Sequence, residues 1–300
     1  MGIEKQCFSA ISNIFSPIVL DNIASKGSSP FLQELIGNCS LLRNIDLQLP
    51  LFQFFNKVYK ILFDSYRTEY IYKNVLANKI LLSRHSTNNS NILSEFRVGK
   101  CKVDIAIING TSTAYEIKSD FDSYKRLENQ LSTYSQVFDK IFVVTSEKQI
   151  SKLIPILPDH IGMMVLTDQE TLLSVREAKS NKHNIIPDVM FDSMRKDEYS
   201  KIIQAYYGEL PAVPNTQIHR ICKELYCKIP QEEAFELTLN ILRNRNNISM
   251  LQSFAKNNTS KSLTAYAINN SNNTTKLNTV LGYLLKPVNS VLSPFIKQGA

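Results

Sequence analysis

Apolar residues recur at three- and four-residue spacing over the first sixty positions, in FSAISNIF, PFLQELIGN and LPLFQFFNKVYKILFDSY, which predicts helices separated by Gly37-Asn38 and Pro50. YRTEYIYKNVLANKILL continues that period, with Tyr72, Val75, Leu76 and Ile80 on one face, and stops at the polar stretch SRHSTNNSN, a loop by composition. From Glu95 the period shortens to that of strands. EFRV and KVDIAII are short β runs parted by Gly99-Lys100, and Asn109-Gly110 marks a hairpin turn into TAYEIK. SDFDSYKRLENQLSTYSQVF returns to helical spacing, with Tyr124, Leu127, Leu131, Tyr134 and Phe138 as its stripe and Ser119 or Asp120 as its N-cap. KIFVVT is an unbroken apolar run expected of a strand buried on both faces; KQISKLIPIL reads as a helix and IGMMVLT as another buried strand.

The resulting order is helix, three-strand meander, helix, strand, helix, strand, an α/β layer arrangement. Beyond about residue 180 the pattern is helical again, through DEYSKIIQAYYG, IHRICKELYC and EEAFELTLNILRNR, interrupted by the loop-like AKNNTSKS and INNSNNTTK. Three regions are therefore expected: helical 1–60, an α/β core over 61–180, and helical 181–300.

Composition adds little to this picture except a sign. With 43% hydrophobic and 20% charged residues the chain can build a core, and its net charge of +7 favours anionic partners such as nucleic acid. The five cysteines, Cys7, Cys39, Cys101, Cys222 and Cys227, are scattered and odd in number, which predicts reduced thiols in a cytosolic chain. MGIEKQCFSAISNIFSPIVL lacks the basic start and cleavage site of a secretory leader. No apolar run approaches the roughly 18 residues that span a bilayer, so a soluble cytoplasmic chain without a membrane partner is expected.

The chemistry concentrates in KVDIAIINGTSTAYEIKSDF. On a strand, residues two apart share a face, so Glu116 and Lys118 project together. Asp104 joins them only in one hairpin register. A two-residue Asn109-Gly110 loop sets Asp104 opposite Tyr115, on the wrong face. A three-residue Asn109-Gly110-Thr111 loop pairs Ile108 with Ser112 and sets Asp104 opposite Glu116, with Cβ atoms about 5 Å apart. The odd-numbered loop is the expectation.

Two converging carboxylates repel unless a cation lies between them, and hard oxygen donors favour Mg²⁺ or Mn²⁺ over zinc. A neighbouring lysine can hold an attacking water. The triplet therefore suits metal-dependent hydrolysis of a phosphodiester. By itself Glu-x-Lys on a strand is more often a solvated alternation or a surface ion pair; the meander and the following helix supply the scaffold that changes that balance.

Other residues carry weaker signals. His219, Cys222 and Cys227 lack a second pair of ligands and fit a helix with a half-buried thiol. His85, His160 and His183 have no nucleophile beside them. Lys125 and Arg126 could meet phosphates or form a solvated face, and Tyr199, Tyr206 and Tyr207 fit aromatic core as readily as base stacking.

Asp104, followed after a hairpin by Glu116-Ile117-Lys118 and an amphipathic helix, resembles the PD-(D/E)XK phosphodiesterase superfamily, with its restriction-endonuclease-like fold. SEFRVGKCKVDIAIING, YEIKSDFDSYKRLENQLSTY and VFDKIFVVTSEK are also similar to a bacterial family of poorly defined function within it, known by a locus-tag name beginning with "sce". The resemblance implies that Asp104 and Glu116 bind metal and that Lys118 orients the water. It further implies an acidic residue from the helix before the meander, where Glu69 is favoured over Glu95, and a polar side chain on the following helix, where Gln130 qualifies. No Pro precedes Asp104, a departure from the motif's name that leaves the chemistry intact. The implied activity is that of a Mg²⁺- or Mn²⁺-dependent nuclease acting on DNA in preference to RNA. The alternative is a non-catalytic nucleic-acid-binding or regulatory protein that keeps the fold, with a helix-turn-helix-like reader near IHRICKELYCKIPQEEAFELTLNILRNR.

Overall fold

Six strands form one mixed sheet in the order β1-β2-β3-β4-β5-β6 in the computed structural model, which describes residues 2–82, 90–256 and 261–292. They are β1 (Asn91–Val98), β2 (Cys101–Ile108), β3 (Ser112–Ile117), β4 (Lys140–Ser146), β5 (Gly162–Leu166) and β6 (Leu172–Arg176). The helices in chain order are α1 (Gly2–Ser12), α2 (Pro17–Lys26), α3 (Pro30–Asn38), α4 (Leu51–Ser65), α5 (Glu69–Leu82), α6 (Leu127–Ser135), α7 (Ile150–Leu153) and α8 (Pro187–Asp192). They continue with α9 (Lys196–Tyr207), α10 (Asn215–Tyr226), α11 (Gln231–Leu242), α12 (Ile248–Lys256), α13 (Thr264–Asn269) and α14 (Thr274–Leu284).

The chain divides into two compact units, one of residues 84–248 and one of residues 1–83 with 249–300. This division differs from the three regions expected at 1–60, 61–180 and 181–300. α8 to α11 fall in the unit that holds the sheet, and the last helices fall in the unit that holds the N-terminal ones.

Within the sheet unit, β1, β2 and β3 form the antiparallel meander, β3, β4 and β5 run parallel, and β6 returns antiparallel. Parallel neighbours need a crossover, and α6 and α7 provide the two. The hairpin loop is the three-residue one. Ile108 pairs with Ser112, the Asn109 N–H donates to the Thr111 carbonyl at 3.0 Å, and Gly110 takes φ +92°, a value that side-chain-bearing residues rarely adopt. Leu127, Leu131, Tyr134 and Phe138 pack on Ala106, Ile108, Ala114, Ile141 and Val143, so the predicted helical stripe meets one face of the sheet. Phe235, Leu239 and Leu242 of α11 join the same core, which explains why the late helices belong here. A second cluster, with Phe191, Tyr199, Ile202, Cys222 and Tyr226, holds α8, α9 and α10 together.

Several local expectations change. β1 begins at Asn91, four residues before Glu95. α6 starts at Leu127 rather than after Ser119 or Asp120; the Ser123 hydroxyl caps a 3₁₀ turn at Tyr124–Arg126, and Asp122 instead accepts from the Ser119 N–H at 2.8 Å. KQISKLIPIL yields only the one-turn α7 flanked by 3₁₀ turns, because Pro155 has no N–H to continue the ladder. β6 has no counterpart in the sequence reading: Leu173, Ser174 and Val175 are all exposed on this edge strand, so it shows no alternation. Gly162 is required where it stands, since a Cβ would lie 2.5 Å from the Phe142 ring.

The other unit is helical. α4 buries Phe54, Phe55, Val58 and Leu62, Phe15 stacks on Tyr70, and Asn74 and Asn78 donate to the Lys261 carbonyl at 3.0 and 2.9 Å. Cys7 and Cys39 are joined as a disulfide, with Cα atoms 5.6 Å apart, which corrects the expectation that all five thiols are reduced. The scatter in sequence gave no sign of it, because α1 and the end of α3 are brought together only by tertiary packing. Cys101, Cys222 and Cys227 are free. Among the described residues no single helix is long and apolar enough to cross a membrane. His85 lies outside the described residues.

Candidate functional site

Asp104 and Glu116 continue the rows Ile108–Ala106 and Ala114 along one face of the sheet, at the point where that face passes from apolar to charged. Ile105 pairs with Tyr115 and Ile108 with Ser112, so the register sets Asp104 directly across from Glu116. Lys118, two residues beyond Glu116, returns to the same face, and its ammonium donates to Glu116 Oε1 at 2.6 Å. It also donates to Gln130 Oε1 of α6 at 3.0 Å, so Gln130 joins the group. Asp104 Oδ2 accepts the backbone N–H of Ile117 at 2.7 Å, which ties the β2 carboxylate to the end of β3.

α6 contributes one more side chain. The Tyr134 hydroxyl lies 2.8 Å from Glu116 Oε2 and 2.7 Å from the Lys102 carbonyl, with Gln130 Nε2 at 3.5 Å. By its spacing Tyr134 belongs to the apolar stripe. It is there, but its position four residues after Gln130 was the available sign that the hydroxyl reaches the same place. Burial raises the pKa of Glu116 above the carboxylate range, against the lowering influence of Lys118, Tyr134 and Gln130. Burial, then the Glu116 charge, raises that of Tyr134.

Glu116 and Lys118 are 2% and 7% exposed, Asp104 is half-buried and Glu95 is exposed, so the charged group runs from interior to surface. Glu95 stands opposite Asp104 on β1, because Ser94 pairs with Ile105 and Phe96 with Val103. Ligand oxygens of the two acids lie within 4.8 Å of one another. Glu95 takes φ +53°, a left-handed conformation that a residue with a Cβ holds only under strain. Glu69 belongs to the other unit, in the first turn of α5, where it is paired with Lys73 at 2.5 Å.

The loop after Lys118 is held by side chains. Asp120 accepts from the Ser146 hydroxyl and from Gln149 Nε2 at 3.2 Å, and the Tyr124 hydroxyl donates to Gln149 Oε1 at 2.7 Å. Phe121, Lys125 and Arg126 are exposed on it. Of the other sequence candidates, Tyr199 is core, Tyr206 and Tyr207 are exposed, and Cys222 is buried; His219 lies 3.6 Å from Asp192.

The family described as Bacteriophage P4 protein cII matches residues 63–271. Among curated proteins the chain is similar to protein cII of Enterobacteria phage P4, at 28% identity over 172 residues, which is 55% of this chain and 63% of that protein. The match thus spans less than two thirds of the relative's length. Among solved structures the chain is similar to a protein of unknown function from Silicibacter pomeroyi, at 18% identity over 40% of this chain and 80% of that one, with a TM-score of 0.29.

Proposed function

The chain belongs to the family described as Bacteriophage P4 protein cII, and from the geometry of β2 and β3 we propose that it is a metal-dependent nuclease on a restriction-endonuclease-like core, acting on DNA in preference to RNA. The observation that carries the proposal is the register of β2 on β3, in which Asp104 faces Glu116 while Lys118 reaches the same carboxylate at 2.6 Å. A solvated Glu-x-Lys pair would be exposed; this one is buried, and the desolvation cost of burying two charges marks it as a functional-site candidate.

Asp104 and Glu116, across from each other on β2 and β3, with Glu95 beside Asp104, would offer the oxygen donors that suit a hard dication, Mg²⁺ or Mn²⁺. Such an ion, when bound, neutralises charge on the phosphate. Lys118, fixed between Glu116 and Gln130, offers a proton to hold or orient an attacking water. Gln130 and Tyr134 hold Lys118 and Glu116 in their rotamers, and the net positive charge draws the phosphate backbone in.

The test is incubation of plasmid and RNA with the full chain and Mg²⁺, against EDTA and Lys118→Ala controls. Strand shortening by the native chain with Mg²⁺ alone is expected. Identical digestion by the variant removes Lys118 from the mechanism. A mobility shift in EDTA with no shortening in Mg²⁺ assigns the chain to the non-catalytic binders instead. A helix-turn-helix reader at α10 and α11 is disfavoured, since the exposed side of α11 carries Glu232, Glu233 and Glu236, which repel phosphate.

A further inference from the structure

The outer side of α6, away from Glu116, borders a cleft of about 630 Å³ whose other wall is the 154–160 turn. That volume is within the usual range for small-ligand sites and far exceeds a bare inorganic anion. Its depth is apolar: Leu127 and Leu131 form the floor, and Ile156 and Pro158 face them across it. Ile156 is 55% exposed, an aliphatic side chain left in water at the rim. The rim itself is polar, with Lys125 at one end and Ser132, Ser135 and His160 along it.

The wall at His160 is also positively charged. Arg176 donates to the carbonyls of Ile161 at 2.8 Å and Pro158 at 3.0 Å, which fixes its guanidinium against that turn. The Lys179 backbone N–H donates to the His160 carbonyl at 3.0 Å, and the Lys179 charge also acts on the His160 ring. Burial first, and then the charges of Arg176, His183 and Lys179, push the His160 imidazole below its ordinary pKa, against a smaller opposing effect of Asp159. Arg176, His183 and Lys179 thus place positive charge behind the His160 wall, while the lining itself carries Lys125. Glu128, the one acid among the lining residues, limits how much negative charge the slot accepts.

We propose that this cleft binds a nucleoside 5′-monophosphate unit, its base between Ile156–Pro158 and the Leu127–Leu131 floor and its phosphate on Lys125 at the end of the rim. A flat ring with an anionic end matches the apolar depth and cationic edge, and Glu128 disfavours a triphosphate. The unit is either a free mononucleotide or the 5′ end of a strand. The proposal goes beyond the nuclease reading and does not depend on it.

The test is equilibrium dialysis of the full chain in EDTA with the four 5′-ribonucleoside monophosphates. Saturable binding of at least one, with Kd below about 1 mM and at least about tenfold tighter than its nucleoside, is expected. Ser132→Tyr fills the cleft from an exposed helix position, and Lys125→Glu reverses the rim charge; each should weaken binding by about tenfold or more, whereas Lys118→Ala should leave it unchanged. Competition by a 5′-phosphorylated tetranucleotide identifies a strand end as the source, and its failure identifies the free nucleotide. Absence of saturable binding, binding that survives both cleft variants, or binding lost in Lys118→Ala overturns the proposal. A chain that binds nucleotide here yet cuts nothing would refute the nuclease reading alone.

Discussion

The Tyr134 hydroxyl has one hydrogen and two acceptors, Glu116 Oε2 at 2.8 Å and the Lys102 carbonyl at 2.7 Å. Its donation to Glu116 favours the ionised carboxylate, as Lys118 does, whereas burial favours the protonated one. A metal would displace the proton, because a carboxylate binds cations in its ionised form.

Tyr134→Phe keeps the ring in the core and removes the hydrogen bond that favours ionised Glu116. The proton affinity of Glu116 should rise further, so the acid limb of the cleavage–pH profile should move to higher pH. Cleavage at pH 7 should fall by about 10–100-fold, the usual cost of losing a group that orients a metal ligand. Rates measured against pH and Mg²⁺ concentration check this. An unchanged profile would show that Tyr134 only packs.

Glu95 sits at φ +53° opposite Asp104, so its backbone is strained where its carboxylate is useful. Glu95→Gly relieves the left-handed strain and should leave the chain no less stable, with a gain of about 1 kcal/mol if strain relief dominates. The same change removes a carboxylate beside Asp104 and should raise the Mg²⁺ concentration needed for half-maximal cleavage, whereas Glu95→Gln should do so without a stability gain. Urea unfolding and a Mg²⁺ titration separate the two effects. A less stable Glu95→Gly chain would show that the conformation is not strained.

The meander, the three-residue hairpin and the pairing of Asp104 with Glu116 were legible because a strand's two-residue period leaves one register that gathers the charges. α6 was legible from Leu127, Leu131 and Tyr134, but its start was not: Ser119 and Asp120, the expected caps, bond to Asp122 and Ser146 instead. β6 was hidden because an exposed edge strand has no buried face to set an alternation. The grouping of α11 with the sheet rests on contacts such as those of Phe235 and Leu239, separated by a hundred residues from the strands they cover, and local pattern carries no such information. The Cys7–Cys39 bond was missed for the same reason.

Asp139 offers a pH test of the hairpin's anchorage. It is 3% exposed, and burial alone would raise its pKa. The hydroxyls of Ser180 and Thr111, each at 2.5 Å, the Asn181 N–H at 3.1 Å and the nearby Lys182 charge outweigh burial, and the net shift is downward. A folded-state pKa below the unfolded one means that the folded chain binds fewer protons. The contribution is complete above the unfolded value of about 3.9 and is lost as pH falls through the folded value. The melting temperature of the native chain should therefore exceed that of Asp139→Asn by a constant margin above about pH 5, and the margin should close below about pH 4. A margin that stays flat into the acid range would mean that Asp139 holds the loop without depending on its charge.

The ion pair between Glu198 and Arg245 joins the first turn of α9 to the segment after α11. The guanidinium donates to both carboxylate oxygens, at 2.6 and 2.5 Å, and lies 4.9 Å from the centre of the Phe96 ring on β1. Both side chains are under a tenth exposed, and Glu198 also accepts the Arg195 N–H at 2.7 Å as the cap of α9. Removing the cation alone takes the countercharge from a buried carboxylate, so Arg245→Met should cost about 3–5 kcal/mol in urea unfolding at pH 7. Replacing both charges in Glu198→Gln with Arg245→Met keeps an acceptor for the Arg195 N–H and leaves no buried ion, and should recover all but about 1–2 kcal/mol of that loss. The pair then serves to position α9 against β1 more than to stabilise the unit. Equal losses in the single and double variants would mean that packing of the Arg245 stem on Phe96, not charge, holds this corner.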